Sequence, residues 1–264
     1  MEAKLNLPDV TLVCVETREH ALAAMAMKDC LSKADFGDVL LLTDKPEKFW
    51  EAIDQKSVRV HRVPDWPEKI GWSRSWWHDV PPLLRTRQTL NIQWDSWIWD
   101  ASMWDDAFLQ YDYIGAPWWY KDGKNVGNGG FSLVSARLKR FLRDRRDRFP
   151  CDTSVDDDLL CRKYRMTLEN FGFVWAPESV AHRFSFECSR PSMTSRHFGF
   201  HGAFNFGVVL TAEELERRAR IMLSSPYIAK PDGYIFQAFA KTNPQLVERL
   251  LRETLREEKG LHHG

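Results

Sequence analysis

The chain lacks a hydrophobic run that could cross a membrane. Its apolar stretches, such as residues 39–42, fall far short of the ~18 residues that a membrane-spanning helix needs. The opening residues, MEAKLNLPDV, contain no apolar segment of the kind found in a secretory signal. We therefore expect a cytoplasmic protein with no transmembrane segment.

An excess of one charge is also missing. Lysine and arginine total 37, aspartate and glutamate total 37, and the formal net charge is zero. Proteins that bind nucleic acid usually carry a basic excess, which attracts the phosphate backbone. Nucleic acid is therefore disfavoured as a partner, although a local basic patch could still bind it.

Cysteine is scarce, whereas tryptophan is abundant. The five cysteines are scattered without a C-x-x-C pair, which argues against a disulfide framework or a ribbon-type zinc site and fits a reducing compartment. Of the twelve tryptophans, ten lie within residues 66–119. Core packing alone does not require this density, because each buried indole N–H needs a hydrogen-bond partner. The cluster favours a surface that stacks on sugars or bases.

The first half of the chain has the pattern of an α/β fold. Apolar, β-branched runs at residues 10–17, 39–44 and 58–63 alternate with segments of helical character at 18–34 and 45–53. This alternation predicts a mostly parallel central sheet flanked by helices, since parallel strands are buried on both faces.

The last part of the chain predicts helices rather than strands. Residues 211–223 begin with a threonine cap and an acidic first turn, and residues 245–258 have a charged, amphipathic pattern. The length of 264 residues allows one large domain or two small ones. We expect a domain over residues 1–208 and a C-terminal helical extension, residues 209–264, packed on it.

The first motif with chemical potential is QWDS at residues 93–96. It follows a predicted strand at residues 89–94 and so lies at the carboxyl edge of the sheet, where α/β proteins bind ligands. Asp95 could coordinate a divalent cation that bridges two phosphates, or it could simply cap the next turn.

The second motif, GNGG at residues 127–130, contains three glycines. Glycine permits positive φ and lets backbone N–H groups approach a ligand closely, although an ordinary tight turn would also explain the motif. It is not a Walker loop, because G-K-[ST] does not follow. It is not the dinucleotide fingerprint either, because it lies outside the first βα turn.

The third and fourth motifs are acidic and histidine-containing. SVDDDLLC at residues 154–161 places three carboxylates at an apparent helix start, where they complement the helix dipole or supply a general base. HFGFHG at residues 197–202 contains His197 and His201. Their spacing from the upstream Cys and His is irregular, so the sequence is only a weak indication of a zinc site. We favour a single histidine that acts as one metal ligand or as a hydrogen-bond donor to a phosphate.

Taken in order, these motifs resemble a known family. QWDS, YDYIGAPW, VGNGGFSLVS, the acidic cluster with LLC, LENFGFVWAPESVAHRFSFE and FGFHG resemble a family of uncharacterised bacterial and phage proteins placed with the GT-A glycosyltransferases. The resemblance covers about residues 10–202. It implies a single α/β GT-A-like domain that moves a sugar from a nucleotide-sugar donor to a hydroxyl acceptor, such as a glycan or a lipid-linked sugar. A UDP-sugar is the favoured donor, and Mn²⁺ or Mg²⁺ is the implied cofactor.

The resemblance also implies roles for individual residues. Asp95 would hold the metal on the donor diphosphate, and His201 would complete that metal site. Asp156 or Asp157 would take the proton from the acceptor hydroxyl. Donor contacts are expected from Glu16, Thr17, Arg74, Gln93, Asn128, Gly129 and Gly130.

Acceptor binding is assigned to Trp118 and Trp119, which could form a stacking platform for a sugar or belong to the core. The sequence departs from the family pattern at Ser96, where members commonly have Gly, and at Val134, where they have Arg. Asp156 replaces the usual Glu, which retracts the carboxylate by one methylene. QWDS also has one acid where many members of the superfamily have two.

Three other functions fit parts of the pattern. A non-catalytic carbohydrate-binding protein would explain the tryptophans but has no need of the acids. A glycosyltransferase that acts on modified nucleic-acid bases would use aromatic stacking together with the basic residues 137–148. Metal-dependent hydrolysis of a phosphodiester would share the acids but need no acceptor.

Overall fold

The chain divides into two compact units. The structure is a computed structural model that describes residues 3–65, 69–151, 154–188, 196–230 and 232–261. The first unit runs from Met1 to His201 and the second from Gly202 to Gly264. The domain boundary expected between residues 208 and 209 stays a prediction.

Six of the nine strands in the described residues form one sheet. The strands are β1 (Leu5–Val15), β2 (Ala34–Thr43), β3 (Arg59–Arg62), β4 (Gln88–Ile92), β5 (Ser96–Ile98), β6 (Tyr113–Ile114), β7 (Phe131–Ser135), β8 (Ser185–Phe186) and β9 (Gly199–His201). The large sheet has the order β3-β2-β1-β4-β7-β6. From β3 to β4 the neighbours are parallel, whereas β7 runs antiparallel to both β4 and β6. The predicted mixed α/β fold with a mostly parallel sheet is confirmed.

The described residues also form ten α-helices. They are α1 (His20–Lys33), α2 (Lys69–Arg74), α3 (Ala136–Asp144), α4 (Asp156–Asp158), α5 (Arg165–Asn170), α6 (Glu178–Phe184), α7 (Phe206–Val209), α8 (Ala212–Ser224), α9 (Tyr234–Thr242) and α10 (Pro244–Leu261). Two of them continue as π-helical turns, Ser75–Asp79 after α2 and Leu159–Lys163 after α4. Such turns are often found at functional sites.

The short helix expected at residues 45–53 forms only in part, as the 3₁₀ helix Pro46–Phe49. Its hydrogen bonds close after three residues, as from the N–H of Lys48 to the carbonyl of Lys45 at 3.2 Å. The turn ends at Phe49, whose side chain is fully buried.

A second, three-stranded sheet joins the end of β4 to a late part of the first unit. Its order is β5-β9-β8, with β9 antiparallel to β5 and parallel to β8. The register pairs Ser96 with His201. This pairing brings the last histidine of HFGFHG next to the acid of QWDS.

Several tryptophans of the cluster are core residues, so the expected stacking surface is wrong for them. The buried members are Trp76, Trp77, Trp94 and Trp97. Core burial is tolerated where the indole N–H finds a partner, as Nε1 of Trp76 does at Oδ1 of Asn91, 2.9 Å away. Trp119 differs from these residues because it is 64% exposed. Trp66 lies outside the described residues.

The second unit is helical, as its pattern predicts. Thr211 caps α8, since its Oγ1 accepts the N–H of Glu214 at 3.3 Å. On the surface, Glu216 of α8 pairs with Arg220 at 2.7 Å and with Arg249 of α10 at 2.6 Å. None of the helices that the structure describes has both the length and the apolar content that crossing a membrane requires.

Candidate functional site

The strand order reverses between β1 and β4, and predicted site residues gather at that point. From β1 the sheet extends through β2 and β3 on one side and through β4 and β7 on the other. In open α/β sheets such a reversal opens a crevice at the carboxyl ends of the strands, where ligands bind. Glu16 and Thr17 follow β1, and Gln93 and Asp95 follow β4. The fold therefore brings these four residues to one edge.

Asp95 and His201, the predicted metal ligands, face each other. Oδ1 of Asp95 lies 3.4 Å from Nε2 of His201, and Oε1 of Gln93 lies 3.3 Å from the same nitrogen. Asp95 is 6% exposed, and within the described part of the chain its Oδ1 accepts no hydrogen bond of good geometry. A buried carboxylate oxygen in this state, beside an imidazole nitrogen, suits a divalent cation.

Glu187 is a third charged group at this position. Its Oε1 lies 2.9 Å from Nδ1 of His201. Burial opposes a charge on the ring, but Asp95 and Glu187 raise the pKa of His201 well above its usual range, so the ring is protonated at neutral pH. We call Asp95, Glu187 and His201 the histidine cluster. Sequence reasoning missed Glu187, because β8, the strand that it follows, has only two residues and carries too little pattern to be predicted.

The GNGG loop packs directly against the ring of His201. A Cβ on Gly130 would lie 2.2 Å from Nε2, so a larger residue would displace the ring. Asn128 has a φ of 68°, in the left-handed region that asparagine tolerates better than most residues. Of the two properties that glycine permits here, the loop uses close approach, at Gly129 and Gly130, and the positive φ belongs to Asn128.

Asn128 is held by contacts in three directions. Its Oδ1 accepts the N–H of Phe131 at 3.2 Å, and its backbone oxygen accepts the hydroxyl of Tyr113 at 3.0 Å. Its Nδ2 lies 2.9 Å from Nδ1 of His201. These contacts place Asn128 beside the ring, and its contact with a donor sugar stays a prediction.

The predicted catalytic acids lie against the same loop. A Cβ on Gly129 would lie 2.8 Å from Oδ2 of Asp156, and the N–H of Gly129 donates to Oδ2 of Asp157 at 2.9 Å. Oδ1 of Asp157 accepts the N–H of Asp158 at 2.8 Å. We call Asp156 and Asp157 the aspartate pair. The amide of Gly129, expected to face a ligand, is used to hold this pair.

Burial and like charge govern the aspartate pair. Asp156 is 3% exposed, and burial together with the charge of Asp157 raises its pKa to about 8. Burial also raises the pKa of Asp157, while the backbone N–H groups that it accepts oppose the rise. Asp157 is only half-buried. One proton is therefore held within the pair near neutral pH, preferentially on Asp156.

A buried lysine lies close enough to interact with Asp156. Lys139 on α3 is 1% exposed, donates to Oδ1 of Asn91 at 3.1 Å and places its Nζ 3.0 Å from the ring centre of Trp76. Burial lowers the pKa of Lys139 well below its usual range, and the charge of Asp156 opposes this effect. Sequence reasoning missed Lys139, because a lysine in an arginine-rich helix predicts solvent exposure.

Trp118, Trp119 and Tyr120 form an aromatic surface beside the loop. A Cβ on Gly127 would lie 2.3 Å from the ring of Trp118, which is half-buried. The exposed ring of Trp119 lies 5.3 Å from that of Tyr120, and the guanidinium of Arg162 lies 3.9 Å above Tyr120. An exposed, supported indole is suited to stacking on a sugar.

Glu16 and Thr17 are buried at the end of β1. Oε1 of Glu16 accepts the N–H groups of Arg18 and Glu19 at 2.8 and 3.0 Å, just before α1 begins. Burial raises the pKa of Glu16, and these bonds oppose the rise. Glu16 therefore shapes the turn between β1 and α1, and its contact with a nucleoside stays a prediction.

Arg74 and His197 lie in different surroundings. Arg74 is exposed at the end of α2, next to Ser73, whose Oγ accepts the N–H of Asp156 at 3.2 Å. This position leaves a contact with a donor phosphate as a prediction. His197 is buried against Phe186, with ring centres 5.0 Å apart, and burial lowers its pKa. His197 is therefore a neutral ring that packs in the interior.

The side chains present fit a divalent cation that is bound partly by a phosphate ligand. Among the described residues, no group of three or more His, Cys, Asp or Glu has the spacing of a metal site built from protein alone. Mg²⁺ commonly takes one or two protein ligands and completes its shell with phosphate and water oxygens. Asp95 and His201 would hold the cation, and His201 would have to release its Nε2 proton first.

Comparison with known proteins gives a fold likeness and a family match. The fold is similar to that of the apo-form glycosyltransferase GlyE of Streptococcus pneumoniae TIGR4, with a TM-score of 0.46 and 10% sequence identity. The similarity covers 96% of this chain, which spans only 64% of that structure's chain. No protein of curated function is similar in sequence. Residues 73–201, just under half of the chain, match the family described as "Protein of unknown function (DUF5672)".

Proposed function

We propose that the chain is a GT-A-type glycosyltransferase that moves a sugar from a nucleotide-sugar donor, with a UDP-sugar favoured, to a hydroxyl acceptor. The observation that carries this proposal is the meeting of two different acidic groups on the GNGG loop. The histidine cluster lies against Gly130 and the aspartate pair lies against Gly129. Sugar transfer needs both kinds of site, because charge develops on the leaving diphosphate while the acceptor loses a proton.

The donor would bind along the carboxyl edge of the large sheet. We assign the nucleoside to Glu16 and Thr17, which follow β1, and the diphosphate to Gln93, which lies beside His201. Mn²⁺ or Mg²⁺, when held by Asp95 and His201, supplies neutralisation of the negative charge on the departing diphosphate.

Asp157 is the member of the aspartate pair suited to take the acceptor proton. Two adjacent, poorly solvated carboxyl groups do not readily ionise together. Burial and the charge of Asp157 raise the pKa of Asp156 to about 8, which keeps Asp156 protonated near neutral pH. Asp157 accepts the N–H groups of Gly129 and Asp158, which favour its charged form, and it is the more exposed of the two.

The acceptor would bind on the aromatic surface. Trp118 contacts Gly127, so a sugar stacked on Trp119 would lie beside the loop that carries the aspartate pair. In this proposal the acceptor hydroxyl lies on the side of the site where Asp157 is partly exposed.

The test is thermal unfolding of the purified chain with UDP-, GDP-, CMP- and dTDP-sugars, each with and without Mn²⁺. A ligand at 100 times its Kd stabilises a fold by about 2.7 kcal/mol, which raises Tm by several degrees in a chain of this size. We expect a shift with one nucleotide that needs the cation, disappears in D95A and persists in D147A, which removes an exposed acid. Folded protein that responds to none of the donors contradicts the proposal.

A non-catalytic carbohydrate-binding protein is the second candidate, favoured by the exposed Trp119. It predicts that titration calorimetry detects glycan binding that W119A abolishes and that D95A and D157N leave unchanged. Transfer of sugar from a donor, measured by product formation, excludes it.

A further inference from the structure

Two of the polar groups that the structure describes beside Nδ1 of His201 require opposite forms of that nitrogen. Oε1 of Glu187 and Nδ2 of Asn128 each lie 2.9 Å from it. A carboxylate oxygen accepts hydrogen bonds, so the contact with Glu187 needs a proton on Nδ1. An amide nitrogen donates, so the contact with Asn128 needs the lone pair of Nδ1. The ring nitrogen satisfies only one of them at a time.

A flip of the Asn128 amide would relieve the conflict at His201 only by creating another at Phe131. Oδ1 of Asn128 accepts the N–H of Phe131 at 3.2 Å, which directs the NH₂ group towards His201. A flipped amide would set its NH₂ group against the N–H of Phe131. Because Asn128 is almost fully buried, that clash would leave two donors without an acceptor.

In the neutral ring, whether Nδ1 carries the proton determines whether Nε2 is protonated. The protonated ring carries an N–H on both nitrogens, and once it has released one proton the neutral imidazole carries a single N–H. When Nδ1 donates to Glu187, the lone pair of Nε2 lies beside Oδ1 of Asp95 and Oε1 of Gln93, at 3.4 and 3.3 Å. Three electron-rich atoms then surround one position that a cation can take. When Nδ1 accepts from Asn128, the proton lies on Nε2 and points to those oxygens, which closes the position.

We propose that Glu187 and Asn128 compete for Nδ1 of His201, and that Glu187 is the positioning residue that opens Nε2 to a divalent cation. The inference rests on the proposed function in placing that cation at Asp95 and His201. Metal-bound histidines usually donate their second N–H to a carboxylate or carbonyl, which fixes the tautomer. The bond to Glu187 is charge-assisted and therefore stronger than a bond from Asn128. Asn128 favours the closed form, so the balance between the two sets the cation affinity.

Two single substitutions and their combination test the competition. E187Q keeps the shape of Glu187 but removes its charge. N128D keeps one oxygen for the N–H of Phe131 and offers the other to a proton on Nδ1. Mn²⁺ affinity is measured from the electron paramagnetic resonance signal of the free ion. The His201 tautomer is measured in metal-free protein, at a pH where the ring is neutral, by two-bond ¹H–¹⁵N NMR, with the signals assigned by H201Q.

We expect E187Q to bind Mn²⁺ about 10- to 100-fold more weakly than wild type and to shift the ring towards the Nε2–H form. N128D should hold the Nδ1–H form, and E187Q/N128D should recover that form together with most of the lost affinity. The ring signal is needed because N128D also adds charge to the site. Wild-type affinity and an unchanged ring in E187Q overturn the inference, as does a folded double variant without recovery of the ring form.

Failure of the proposed function gives a different result from failure of this inference. If the wild-type chain binds no nucleotide-sugar but its Mn²⁺ affinity responds to D95A and E187Q as expected, the proposed function fails and the inference stands. If it binds a nucleotide-sugar but shows no Mn²⁺ binding that depends on Asp95, the inference fails. The transferase proposal then stands without a role for the cation.

Discussion

The two acidic groups on the GNGG loop hold protons in opposite ways. In the histidine cluster, Asp95 and Glu187 overcome the effect of burial and keep an extra proton on an imidazole. In the aspartate pair, burial and like charge keep a proton on a carboxyl group, with the pKa of Asp156 at about 8. Both groups contain two acids, so the residue types do not explain the difference. The neighbours decide it: a base between two acids in one case, a second acid in the other.

Adjacent glycines separate the two groups. A Cβ on Gly130 would meet Nε2 of His201 at 2.2 Å, whereas a Cβ on Gly129 would meet Oδ2 of Asp156 at 2.8 Å. The loop thus holds both groups against the same backbone, and the charges of Glu187 and His201 also act on Asp157. The contact of each group with the loop can be broken at one glycine at a time.

The largest effect is expected from G130A. The added methyl group would overlap the ring of His201, which has to move because Gly130 is itself buried. We expect destabilisation by about 1–3 kcal/mol, measured by denaturant unfolding, and loss of the cation-dependent Tm shift with the nucleotide-sugar.

G129A is the matched comparison for G130A. Its methyl group would meet Asp156 rather than His201, so we expect the NMR signals of the His201 ring to be retained. If G130A also leaves these ring signals at their wild-type positions, close packing on the loop does not hold the ring.

The second effect is a change in the pH dependence of stability in D156N. An unfolded Asp titrates near 3.9, and Asp156 titrates at about 8 in the fold, so the folded chain keeps a proton that the unfolded chain releases in between. Wild-type stability therefore falls as pH rises from about 4 to about 8. Because Asn stays neutral, D156N should lack this fall. Thermal unfolding should show D156N close to wild type at pH 4 and more stable at pH 9.

D157N distinguishes the two members of the pair. It removes one of the carboxylate oxygens that accept the N–H groups of Gly129 and Asp158. We expect a lower Tm than wild type at every pH, in contrast to D156N. Parallel pH profiles of wild type and D156N would show that Asp156 is not the protonated member.

The strands β1 and β2 could be predicted because each ends in a long run of buried, mostly apolar residues. The short strands carry too little pattern for this, since β6 and β8 have only two residues and β5 and β9 only three. Yet β5, β8 and β9 assemble the histidine cluster. Asp95 and His201 were predicted from motifs, whereas Glu187 becomes their neighbour only through the pairing of β8 with β9.

The aspartate pair was predicted, but its ionisation was not. The ionisation of Asp156 depends on its burial beside Gly129, on the charge of Asp157 and on the charge of Lys139, which lies on α3. Trp76 and Asn91, from two further parts of the chain, surround the lysine. The tryptophans also show that the sequence alone does not give the burial of a side chain. Their number does not distinguish Trp76 in the core from Trp119 on the surface.

The third effect is expected from D95N, with the opposite pH dependence to D156N. Removing one of the two charges should lower the pKa of His201 by about 1–3 pH units, measured by NMR titration of the ring. The raised pKa stabilises wild type fully below about 6.5, the value of an unfolded His, and this contribution is lost as pH rises through the folded pKa. D95N should therefore be less stable than wild type at pH 5, with a smaller difference at pH 10. A difference that grows with pH would contradict the protonated ring.

The smallest effect is expected from W119A, which lies on the aromatic surface rather than in either acidic group. Trp119 is 64% exposed, so its removal should change stability by no more than about 0.5 kcal/mol. Loss of the stacking face should raise the KM for a sugar acceptor by about 2- to 10-fold, and W119F should recover most of the loss. Because stacking uses the ring face and not a proton, kcat and the pH dependence set by Asp157 should stay as in wild type. A change in kcat with an unaltered KM would instead link Trp119 to the position of the aspartate pair, through Trp118 and Gly127.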